Sequence, residues 1–155
     1  MKRSTRPDGL LEWFTVHSPR AEFEDGWVLP QHWFRVNLYE TTAHLREYRR
    51  RMVANITGEK NAGAGVIWHR DEIPPNGFLG TLIVTQDWLS DRVLIHESVH
   101  LATRALKGHI GSQRPTLSNG VVGVRNEEVL AYLTDGIATA LMKELKPFYS
   151  AEEPK

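Results

Sequence analysis

The stretch Phe78–Gly108, FLGTLIVTQDWLSDRVLIHESVHLATRALKG, decides the reading of the fold. Its first eight residues, Phe78 to Thr85, are an apolar run dense in β-formers and read as the clearest strand of the chain. Asp87 stands where a helix N-cap belongs, and the spacing predicts a helix over Trp88–Lys107 with Gly108 placed to end it. A strand running directly into a long helix fits an α+β layer architecture.

Other segments are weaker copies of these two signals. Trp13–Val16, Trp33–Tyr39 and Val66–Trp68 read as strands, and Pro74-Pro75-Asn76-Gly77 as a tight turn. Thr41 or Thr42 caps a helix running to about Ala54, with Leu45, Tyr48 and Met52 as its apolar stripe. Asn126 caps a last helix to about Leu145, and Pro147 stops any continuation. Ser18–Pro30, Gly58–Gly65 and Ile110–Val124 read as connectors, the third a long loop of the kind that is often functional or disordered. Residues 1–9 and 148–155 read as flexible ends. The expectation is one α+β domain over 1–155: a small twisted mixed sheet packed on the 88–107 helix and the C-terminal helix.

The chain has 155 residues, a formal net charge of 0 and no cysteine. That length carries a core without staples. Without cysteine there are no disulfides, iron–sulfur clusters, thiol nucleophiles or thiolate-bound zinc, so a metal has to be held by His, Asp or Glu. Zero net charge argues against a nucleic-acid-binding domain. No apolar run reaches the ~18 residues of a membrane span. Basic residues open the chain but no apolar leader comes after them, so the expected location is cytoplasmic.

Chemistry is concentrated in His96-Glu97-Ser98-Val99-His100. Two histidines four apart leave one face of a helix and can share a metal ion, and imidazole suits Zn2+. Glu97 lies about 100° round the helix, where it can take a proton from a water at the metal. Val93-Leu94-Ile95 and Leu101-Ala102 flank the motif, so it belongs to a buried helix, where two His and a Glu are costly unless something satisfies them. The plain alternative is a hydrogen-bonded pair of core histidines with Glu97 at the surface.

A catalytic zinc needs a third protein ligand. Glu127 and Glu128 open the next predicted helix, and Glu128 is preferred because it shares a face with Ala131 and Asp135. Acids are also common in a first helical turn for the sake of the macrodipole alone. Tyr132, four residues after Glu128, is a candidate oxyanion donor, although tyrosines at such positions are more often core. His109 and Arg114, in or beside the long loop, are weaker substrate contacts. His17, His32, His44 and His69 have no partner at ligand spacing and read as structural. Arg49-Arg50-Arg51 reads as a solvated helix face rather than an acidic or nucleic-acid contact.

With its downstream acid-bearing segment Asn126-Glu127-Glu128-Val129-Leu130-Ala131, the motif resembles the gluzincin group of zinc metallopeptidases. It is most similar to small minimal members, including phage-encoded ones. The resemblance spans residues 66–142 and implies a zincin-like fold, with zinc on His96, His100 and Glu128. It further implies Glu97 as general base in the hydrolysis of peptide bonds in a protein or peptide substrate. It also implies that the strand before the motif helix, Phe78–Thr85, is the edge along which an extended substrate lies. Thermolysin-like members place an Asp four residues after the ligand Glu; that position is Ala131 or Tyr132 here, and Asp135 is the substitute. His109 comes too late for a third metzincin histidine. Two other classes fit the same residues: an interaction protein with a structural zinc closed by His109 or Asp135, or with no metal, and a metallohydrolase acting on a non-peptide substrate.

Overall fold

In the computed structural model, residues 9–22, 28–51, 55–57, 62–110 and 120–149 are described, with only the backbone given for 21, 55, 108–110 and 120–126. The elements are β1 (Leu10–His17), β2 (Ala21–Glu22), β3 (Val28–Leu29), β4 (Trp33–Tyr39), α1 (Thr42–Arg51), β5 (Asn55–Ile56), β6 (Ala64–Trp68), β7 (Phe78–Thr85), α2 (Asp91–Ile110) and α3 (Gly120–Leu145). Five strands form one mixed sheet in the order β1-β4-β7-β6-β5, and β2 pairs with β3 alone. The fold is α+β, as expected. β4 and β7 are parallel; the other neighbours in the sheet are antiparallel. The parallel pair needs a long crossover, which α1 and the β5–β6 hairpin provide.

Alternation along the strands sorts side chains onto two faces. Phe34, Val36 and Leu38 of β4, Ala64 and Val66 of β6, and Leu79, Leu82 and Val84 of β7 face the main core. There they meet Leu94, Leu101, Ala102 and Ala105 of α2 and Val129, Leu133, Ile137 and Leu141 of α3. Tyr39, Ile67 and Ile83 point the other way, onto Leu45 of α1. The motif helix and the C-terminal helix thus cover one face, and α1 the other.

β7 is the centre of this sheet, not an edge. Its backbone pairs with β4 on one side and β6 on the other, so no substrate strand can add to it. Its mostly apolar sequence reflects burial on both faces. Within it, register slips between Trp33 and Arg35 of β4, so that three steps of β7 match two of β4. Gly80 lies in this bulge with φ +138°, and a Cβ there would collide with the carbonyl oxygen of Ile67.

The helix starts differ from expectation. Asp87 lies in a 3-10 turn, Gln86–Trp88, and accepts a hydrogen bond from the Thr42 hydroxyl at 2.9 Å, tying β7 to the start of α1. The α2 cap is Ser90, whose hydroxyl accepts the Val93 N–H at 3.2 Å. α2 runs through Gly108 to Ile110, and α3 begins at Gly120, six residues ahead of Asn126. Residues 111–119 of the expected loop lie outside the described residues, as do 1–8 and 150–155. Phe148 and Tyr149, expected in a flexible tail, pack on the core, and the Tyr149 hydroxyl reaches Asp91 at 2.6 Å. No described helix is long and apolar enough to cross a membrane.

Candidate metal centre

Helical geometry brings the motif together on α2. His96 is exposed, His100 half-buried, and Glu97 buried with 5% of its surface accessible. The Nε2 atoms of His96 and His100 are 3.2 Å apart, with ring centroids at 5.0 Å and planes at 72°. One potential ligand atom from each of His96, Glu97 and His100 lies within 4.8 Å of the others. Two nitrogens bound to one tetrahedral zinc at ~2.0–2.1 Å stand about 3.3–3.4 Å apart, so the imidazole spacing fits a shared ion. It also fits one imidazole donating to the other.

Glu97 is the third member of the group. Its Oε2 is buried, and no described donor reaches it. A buried carboxylate oxygen without a partner calls for a missing one. Burial pushes its carboxyl up to about 7, with the Arg49 guanidinium pulling partly back. Burial and the neighbouring His96 push the His100 imidazole down, toward the neutral form that binds metals. The group can therefore hold a metal ion.

Arg49 is the residue that sequence reasoning missed here. Of the arginine run, Arg50 and Arg51 are exposed and pair with Glu47, as a solvated face should. Arg49 instead turns inward and donates to the Thr57 and Ala64 carbonyls, each at 3.2 Å. Its guanidinium occupies the space over Gly65, where a Cβ would meet Nη2 at 2.6 Å. The signal was available: Arg49 comes four positions after Leu45 and so shares its inward face.

The other expected site residues are dispersed. Glu127 and Glu128 are both exposed on α3, and neither joins the three-residue group. Glu127 lines a groove between α2 and α3 with Ile95, Val99, Ala131 and Asp135. Tyr132 is 45% exposed. The side chain of His109 and the whole of Arg114 lie outside the described residues. His44 is held by Thr41, with Nδ1 and the hydroxyl oxygen 2.8 Å apart, and His32 is buried.

A second groove, of about 690 Å³, adjoins the histidines. His100, Thr103, Arg104 and Lys107 of α2 form one wall, Val66 and Trp68 of β6 the floor, and Asp71, Glu72 and Ile73 the far wall. No protein-family profile, curated protein or solved structure gives a match to the chain.

Proposed function

We propose that the chain is a zinc-dependent peptidase in which His96 and His100 hold the ion and Glu97 carries the proton. The observation that carries this reading is the 3.2 Å approach of two Nε2 atoms beside a buried, partnerless carboxylate oxygen. When bound, zinc polarises a carbonyl and makes water acidic near neutral pH. Glu97 is the group that accepts a proton from the attacking water and returns it to the leaving amine. Burial and the neighbouring His96 favour the neutral form of His100, the form that serves as a ligand. The third ligand is assigned to Glu128, with its neighbour Glu127 as the other candidate, and Tyr132 is assigned as a donor to the developing oxyanion. The groove beside His100 is the place for a protein or peptide substrate.

Elemental analysis after purification without chelator tests the site. About one zinc per chain is expected in the wild type and none in His96→Ala. Glu97→Gln is expected to keep its zinc and lose turnover of a fluorogenic peptide mixture. Zinc-free wild type after zinc is added back, or turnover retained by Glu97→Gln, sinks the reading.

A further inference from the structure

Arg104 lies one helical turn beyond His100, and its guanidinium is committed to backbone. Nε donates to the Leu79 carbonyl at 2.5 Å, Nη1 to Asp71 at 3.2 Å and Nη2 to Arg70 at 2.7 Å. The guanidinium also lies over the Trp68 ring, 5.3 Å from its centroid. A planar fork that takes two successive carbonyls fixes a segment in a way a point charge cannot. Segment 69–73 has no strand or helix of its own; this fork ties its start to the helix bearing the histidines, and Ile73 packs its end on the core. Asp71, Glu72 and Ile73 form the far wall of the groove beside His100.

We propose that this wall determines specificity, with Arg104 as its positioning residue. The groove then receives an extended peptide that places an apolar side chain against Trp68 and Ile73 and an adjacent basic side chain toward Asp71 and Glu72. Charge complementarity selects the basic residue. Asp71 and Glu72 are exposed and make no ion pair within 4.0 Å among the described residues; the charge of Asp71 is felt by the Arg104 guanidinium and Lys107 stands on the opposite wall, so Glu72 is the acid left to meet an incoming cation. That the occupant is a peptide rests on the function proposed above; the wall itself does not.

The test uses the full chain carrying Glu97→Gln, with Zn2+ supplied and its stoichiometry measured. The protein is mixed with a randomised peptide library and the retained peptides are sequenced. Peptides with adjacent apolar and basic residues are expected to be enriched about fivefold or more, the scale of one buried apolar contact plus a rim ion pair. Adding Arg104→Gln is expected to abolish the enrichment at unchanged zinc content. Amide exchange at 70–73 should quicken roughly tenfold while that of Leu94–Leu101 holds. Arg104→Lys, which keeps the charge and loses the fork, should behave like Arg104→Gln.

If Arg104→Gln does not fold, Asp71→Asn/Glu72→Gln serves instead and is expected to lose only the basic preference. No enrichment in the Glu97→Gln protein, enrichment that survives Arg104→Gln, or full rescue by lysine overturns the proposal. Enriched peptides that the zinc-loaded wild type fails to cleave would leave the wall standing and remove the peptidase reading.

Discussion

Glu97 titrates from an ordinary value of 4.5 when unfolded to about 7 in the fold, because burial disfavours its charged form. The folded metal-free protein therefore holds this proton more tightly than the unfolded chain. Its contribution to stability is fully present below pH 4.5 and is lost as pH rises through 7. Glu97→Gln removes the titration while keeping the shape. Chelated wild type and variant should be of similar stability near pH 4.5, with the variant ahead by up to roughly 3 kcal/mol at pH 8. Urea unfolding at the two pH values measures this, and a gap that does not grow with pH refutes the burial of the charge. The motif was legible because an i, i+4 pair is local: the helix alone brings the two imidazoles together. Arg49 was hidden because three arginines in a row resemble a solvated face, and only the position relative to Leu45 tells them apart.

The bulge in β7 links an element to the site. By breaking register with β4 it puts Gly80 at φ +138°, and the neighbouring Leu79 carbonyl is taken by Arg104 of α2. Gly80→Ala introduces a Cβ against the Ile67 carbonyl in a backbone region that side chains avoid. A loss of about 1–3 kcal/mol is expected in denaturant unfolding, together with weaker protection of segment 69–73 in hydrogen exchange. A neutral substitution would show that the bulge stores nothing. The long elements, β4, β7, α2 and α3, were legible because each carries its own periodicity or apolar run. The two-residue strands β2, β3 and β5 were not, since so short a pairing depends on partners distant in sequence. Strand order was hidden for the same reason; the expectation of β7 as an edge came from the resemblance alone, and its pairing with both β4 and β6 corrects it. The third ligand has the same weakness: it depends on how α3 lies against α2. Replacing both Glu127 and Glu128 by Gln should cost more zinc affinity than the ~10–100-fold that loss of an outer partner costs, as read by competition with a chelator. Unchanged affinity in that double variant would remove α3 from the site, and the two single variants identify the ligand.

At the scale of the whole molecule, the candidate centre sits on the helix that packs against both the sheet and α3. A metal held there is bound to the folded chain and only weakly to the unfolded one, where His96 and His100 are no longer held 3.2 Å apart. Binding and folding are therefore linked. Free zinc at a hundred times its dissociation constant should add ~2.7 kcal/mol to stability. In a chain of 155 residues that corresponds to a rise in Tm of roughly 5–10 °C. The rise should vanish in His96→Ala and His100→Ala and persist in Glu97→Gln, which keeps both imidazoles. Magnesium at the same concentration should do little, since it prefers oxygen ligands and this group offers two nitrogens. Scanning calorimetry across a zinc series separates the outcomes. A shift common to the wild type and both histidine variants marks adventitious surface binding, whereas a shift confined to chains with both histidines locates the ion between them.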